Sequence, residues 1–308
     1  MSTTTTTSQS AISSPLKGLL NRHPLVAFFV LAYAITWGAI ALFFLIIGGL
    51  GLQLPSSVSY VVGLLPGFGP AIAALIMTAV TGGKAGVGQL LRRLVQWRVG
   101  LHWYLLVLFG VPLVLVVGAS IMRSVIPLSA LIQQWPIIFT GYLPLVAISL
   151  VTAGLGEEPG WRGFALPKMQ LRYGSLLGTL LLGLLWSFWH LPNVIFSGWG
   201  VQTFALFVFS TVVDGFILTW VYNNTKGSLL IAMLLHAAQN ASAGLVTHVV
   251  AGFNSNQYFL LDAISFGVCV LLIILFTRGR YSYQPDCTAQ PTEASRPQAT
   301  ASKPTHWA

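Results

Sequence analysis

The sequence predicts an all-α fold, a polytopic transmembrane helical bundle, and three observations carry that expectation. Apolar residues make up 55% of the 308 and charged residues only 7%, with a mean hydropathy of +0.79. A soluble domain carries roughly 25% charged residues, so this chain lacks the shell that would hold its core in water. Second, a window of about 20 residues, enough to cross the hydrocarbon at ~1.5 Å per residue, finds about eight apolar spans. Third, the basic residues fall almost entirely on one side of those spans.

The expected spans are 24–50, 58–80, 101–121, 141–158, 175–196, 202–222, 228–250 and 257–277. The first has too long an apolar core for a signal sequence and no small-residue cleavage site after it, so it reads as a retained helix. When the connections are numbered alternately from inside, 14 of the 15 basic residues fall inside and Arg123 alone falls outside. Cytoplasmic connections are enriched in Lys and Arg, which puts both termini in the cytoplasm. The net charge of +9 therefore reads as orientation and contact with anionic membrane lipids, and nucleic acid is not an expected partner.

Residues 1–20, rich in Ser and Thr, and residues 281–308 read as disordered tails, the second cytoplasmic, around a membrane-embedded domain at 21–280. Between spans two and three, Leu90, Leu91, Leu94, Val95 and Trp97 alternate with Arg92, Arg93 and Arg98. That pattern suits a short helix in the cytoplasmic interface, or an ordinary basic loop. Cys269 lies in an apolar run and Cys287 in the polar tail, so neither a disulfide framework nor a cysteine metal cluster is expected.

Only six residues are acidic, and two of them, Glu157 and Glu158, stand side by side at the end of span four. A charge at membrane depth costs about 2.5–3.5 kcal/mol, so such a pair needs a reason. Glu158 and Arg162 are four apart, the spacing at which helical side chains pair, and read alone they form a structural ion pair. Pro159 should kink the helix or open a new first turn. Other polar groups at span depth are His190, Asp214, His236, Asn240, His248 and Asp262. His236 and Asn240 share one helical face. His248 reads as a packing residue, and Asp214 and Asp262 read equally as structural or functional groups. A carboxylate and an imidazole can together deprotonate water, and an Asn and a His on one face can donate to an oxyanion. Two His and a Glu could also hold zinc.

These residues fall into a recognisable order. Glu157-Glu158-Pro-Gly-Trp-Arg162 resembles the EExxxR motif of the CAAX protease and bacteriocin-processing family of intramembrane proteases, which includes type II CAAX prenyl endopeptidases. Trp186-Ser-Phe-Trp-His190 is similar to the family's FxxxH, with Trp for the leading Phe, and His236-Ala-Ala-Gln-Asn240 meets its HxxxN. The resemblance covers roughly residues 85–245. It implies that Glu157 and His190 activate water, that His236 and Asn240 stabilise the oxyanion, and that Glu158 and Arg162 support the site. No catalytic metal is certain; a divalent ion such as zinc, if present, would sit on Glu157, His190 and His236.

The implied function is intramembrane endopeptidase, acting on a peptide or lipidated protein: a prenylated C-terminus, a leader peptide or a membrane segment. The expected place is a prokaryotic plasma membrane with the site facing the cytoplasm, in a role such as bacteriocin processing or immunity. A proton-coupled transporter and a catalytically silent scaffold are the alternatives. One geometric condition is attached. His190 lies about 15 residues, roughly 22 Å, beyond the start of span five, whereas Glu157 ends span four. The two meet only if helix four runs well past Arg162 or helix five starts in the cytosol.

Overall fold

The computed structural model describes residues 15–49, 51, 55–124, 129, 132–133, 135–250 and 253–281. These are helical, with no strand among them. Seven helical stretches are long and apolar enough to cross a membrane. They are α1 (Pro24–Ile47), α2 (Val62–Leu94), α3 (Leu101–Arg123), a 52-residue run Ile138–Trp189, α6 (Val201–Asn224), α7 (Leu229–Thr247) and α8 (Ser255–Thr277). The long run is divided at Gly174, whose φ of 77° and ψ of 172° are not helical. It therefore divides into α4 (138–173) and α5 (175–189). The chain is a multi-pass membrane protein. Leu113, Ile121, Val151 and Phe276 point outward and are more than half exposed, which only a lipid solvent makes favourable.

The division at Gly174 corrects the expected limits of spans four and five. The chain reverses there: a Cβ added to Gly178 would meet the backbone of Met169 at 2.9 Å and of Gln170 at 3.1 Å, so α5 folds directly back on the end of α4. Helix four thus continues 15 residues past Glu158, and Pro159 neither breaks it nor opens a new helix. The turn instead widens over Pro159–Ala165 into i→i+5 bonding, a form that tolerates the missing proline N–H and recurs at functional sites. Helix five ends at Trp189, earlier than expected; His190 forms a turn and Leu191–Phe196 a short separate helix.

Gly83 breaks α2 in the same manner, with φ 58° and ψ −159°, and residues 84–94 form a short helix that stops at Leu94, so Val95, Trp97 and Arg98 lie in the irregular connection after it. Leu90 is buried, while Leu91, Val95 and Trp97 stay exposed. The first tail is shorter than expected, since Pro15–Arg22 is already helical. Residues 1–14 and 282–308, with Cys287, lie outside the described residues, as does the side chain of His248.

One end of the bundle is tied together by polar contacts among the basic connections. Arg93 donates to the Tyr222 hydroxyl at 3.0 Å, Ser228 Oγ to the Gln96 carbonyl at 2.8 Å, and Asn223 to the Tyr281 carbonyl at 3.0 Å. At the opposite end Arg123 donates to Gln257 at 3.1 Å and sits 4.7 Å over the Phe253 ring. The basic residues therefore share a face in space as well as in sequence.

Gly174 occupies a backbone region open essentially to glycine, and a Cβ there would meet nothing within 4 Å. Any cost of Gly174→Ala is therefore conformational. Thermal unfolding in detergent should show Gly174→Ala clearly destabilised, by about 1–3 kcal/mol, and Gly88→Ala, inside the short helix, unchanged or improved. Equal melting temperatures for Gly174→Ala and wild type would contradict the hairpin.

Candidate active site

Close backbone approach brings the pieces together. Gly156 and Gly160 stand four apart on α4, and a Cβ on them would meet Gly67 and Pro70 of α2 at 2.7 and 2.6 Å. Small residues at this spacing let helices approach to backbone contact inside a bilayer. The glutamates between them are consequently sealed: Glu157 is 5% exposed and Glu158 0%.

Glu158 is neutralised from two sides. Its Oε1 accepts from Arg162 at 3.0 Å and from Nδ1 of His236, on α7, at 2.8 Å. The ion pair read from the i, i+4 spacing is present and fully buried. Arg162 also lays its guanidinium 4.5 Å over the Trp186 ring, whose other contacts include the His236 ring at 5.2 Å in an edge arrangement. Breaking a buried pair strands a charge, which is far costlier than its net contribution.

Glu157 is held differently. Its Oε2 accepts from Trp186 Nε1 at 2.6 Å and from Trp161 Nε1 at 3.2 Å, so two indoles fix one oxygen. Neither donor was readable as such in the sequence. At 186 the sequence shows only Trp in the place of the motif's Phe, whereas in the structure the indole N–H makes it a partner of the carboxylate. His190 follows one turn later, and its Nδ1 lies 3.0 Å from the Trp186 carbonyl. A carbonyl only accepts, so Nδ1 carries a proton, and in the neutral ring Nε2 keeps its lone pair.

Glu157, His190, His236 and Asn240 line one cavity of about 470 Å³ between α4, α5, α6, α7 and α8. The hairpin at Gly174 meets the condition that separated Glu157 from His190. Asn240 remains exposed to the cavity and donates to Ser149 Oγ at 3.3 Å. His236 bears on Glu158 through Nδ1, so it can donate to an oxyanion only from Nε2, and only when doubly protonated. Asp214 and Asp262 line the same cavity. Among the described residues no three His, Cys, Asp or Glu side chains are placed to share a metal ion. The set Glu157, His190 and His236 thus does not converge as metal ligands.

The lining also gives the cavity a direction. On α7 it climbs from His236 through Asn240 to Thr247, and on α8 it begins at Asn254 and Ser255 and descends to Asp262. The lining therefore extends toward the end where Arg123 lies, away from the basic connections.

A membrane-embedded bundle with a carboxylate and two imidazoles around an internal cavity is the class of protein these features define. Comparison with known proteins agrees. Residues 139–242, about a third of the chain, match the family described as type II CAAX prenyl endopeptidase Rce1-like. A protein named CAAX prenyl protease 2, from Methanococcus maripaludis, is 29% identical over 115 residues, covering 35% of this chain and 42% of that relative. The matched stretch spans less than half of the relative's length. Over the segment that carries its three motifs, the chain is similar to CAAX proteases.

The buried pair can be tested without reference to activity. Arg162→Met should unfold or strongly destabilise the protein in detergent, by about 3–5 kcal/mol, because Glu158 loses its strongest donor. Adding Glu158→Gln to Arg162→Met should recover a good part of that loss. Additive losses in the double variant would show that the two residues are not coupled.

Proposed function

We propose that this chain is an intramembrane endopeptidase that hydrolyses a peptide bond presented at membrane depth. The observation that carries the reading is the convergence of Glu157, His190, His236 and Asn240 on one cavity, each already oriented by a neighbour. Both indole donors use Oε2 of Glu157, leaving Oε1 to accept from water. Nε2 of His190 can take the water's proton as hydroxide attacks the carbonyl carbon, and then return it to the leaving amine. Asn240 Nδ2 and doubly protonated His236 would donate to the oxyanion. The substrate is a prenylated C-terminus, a leader peptide or a membrane segment, and the setting a prokaryotic plasma membrane, with bacteriocin processing or immunity as the role.

Purified protein should cleave such peptides, and Glu157→Gln and His190→Ala should each abolish cleavage while leaving the melting temperature near wild type. Asn240→Ala should lower kcat by roughly two to three orders of magnitude with little change in KM, since a donor of this kind contributes about 2.7–4 kcal/mol mainly in the transition state. Asn240→Asp should be as poor or poorer, because a carboxylate repels the developing charge. An Asp variant more active than the Ala variant, and silenced by chelator, would instead point to a metal. Peptide-independent proton flux that requires Glu157 would point to a transporter, and a cellular role that survives loss of both Glu157 and His190 to a scaffold.

We further propose that the basic end, with both termini, faces the cytoplasm, and that the cavity opens on the other side. The distribution of Lys and Arg supports this orientation. With Cys269 and Cys287 replaced by Ser, an impermeant thiol reagent applied to intact cells should label Ser255→Cys and not Lys84→Cys. Labelling of Lys84→Cys alone would invert the orientation.

A further inference from the structure

Two carboxylates in the cavity have no part in water activation. Asp214, on α6, accepts from Gln239 Nε2 at 2.6 Å, and Asp262, on α8, accepts from Ser210 Oγ at 2.6 Å. Asp262 is 2% exposed, and among the described residues neither carboxylate has a Lys or Arg within ion-pair distance. This differs from Glu158, whose charge is met by Arg162. An unmatched carboxylate at this depth is expensive, so two of them on facing helices call for a cation.

A second observation points the same way. Gln239 is 5% exposed and lines the cavity, and its amide nitrogen is committed to Asp214. Its Oε1 is buried and has no hydrogen-bond partner among the described residues. The reverse amide orientation would set oxygen against carboxylate, so the unpartnered atom is an acceptor. The wall thus offers acceptors from three helices, Asp214, Asp262 and Gln239, with Ser210 Oγ and one N–H of Gln239 already serving the two carboxylates. A buried acceptor left unpaired favours any ligand that supplies an N–H.

The fitting ligand is positively charged and carries several donors. A compact metal ion would need its ligands in one shell, and the described carboxylates and imidazoles do not provide three such ligands together. A guanidinium or ammonium can bridge acceptors spread along a wall. Phe207, Tyr258 and Phe259 line the same cavity and suit the apolar stem that carries such a head group.

We propose that Asp214, Asp262 and Gln239 form a subsite for an Arg or Lys side chain of the substrate, beside the bond to be cut. The identification of the ligand as a substrate side chain rests on the peptidase reading; the charge and chemistry of the subsite do not. The probe is a set of peptides with Arg placed at successive positions, each paired with the same peptide carrying neutral, isosteric citrulline. Binding is measured to the detergent-solubilised Glu157→Gln protein, which separates recognition from cleavage. At one or two positions the Arg peptide should bind about tenfold or more tightly than its citrulline partner, the scale of one charge-assisted hydrogen bond. Asp214→Asn and Asp262→Asn should each reduce that preference, and together abolish it, with citrulline binding unchanged.

Equal binding of every pair would overturn the subsite, as would a preference that survives both substitutions. Loss of citrulline binding in the Asn variants would show a structural role for the two carboxylates, and displacement of the Arg peptide by divalent ions would show an ion site. Selective Arg binding without any cleavage by the wild-type protein would sink the peptidase reading and leave a cation-binding cavity standing.

Discussion

Two adjacent carboxylates buried in an apolar bundle set the terms for the rest of the molecule. Glu158 is tolerable only because Arg162 on its own helix and His236 from α7 converge on one of its oxygens. Glu157 is tolerable because two indole N–H groups replace the water it has lost. Each solution makes a demand on packing. α7 must come close enough for a direct hydrogen bond, and α5 must return along α4 so that Trp186 faces Glu157. The same contacts that neutralise the charges therefore bring His190, His236 and Asn240 to one cavity. Stability and chemistry share a cause here.

The path of the chain is what permits this. At ~1.5 Å per residue a helix from 138 to 173 is far longer than the ~30 Å of hydrocarbon, and its end must emerge on the basic side. Gly174 then reverses it with a single residue, so positions equally distant from 174 on either arm fall at similar depth. Glu157 lies 17 residues before the turn and His190 16 after it, which is why they meet. The widened turn at Pro159–Ala165 keeps Glu157 over Trp161 and Glu158 over Arg162 despite the proline between them.

Much of this was legible in the sequence, for definite reasons. Spans declare themselves because lipid leaves the helix little alternative, and the Glu158–Arg162 pair follows from helical spacing alone. The short helix at 84–94 showed in its alternation of Leu and Arg. What stayed hidden depends on the third dimension. A hydropathy window sees Pro159 and the polar residues after it as an end, and cannot see that helix four runs on to a reversal at Gly174. Trp186 looked like an aromatic replacement, and its N–H mattered only once Glu157 stood opposite. Asp214, Asp262 and Gln239 come from three helices and have no common spacing to betray them. The direction of the cavity was invisible too, because lining is a property of packing.

We infer that the charges of Glu157 and Glu158 are balanced by Arg162 together with an imidazolium at His236. Its Nδ1–H is committed to Glu158, and its Nε2–H is then available to an oxyanion. Nitrogen-15 spectroscopy of histidine-labelled protein at neutral pH tests this most directly, with His236 assigned by comparison with His236→Gln. Both ring nitrogens of His236 should carry protons, and Nε2 should lose its proton in Glu158→Gln. A neutral His236 ring in the wild-type protein, protonated at Nδ1 alone, would contradict it.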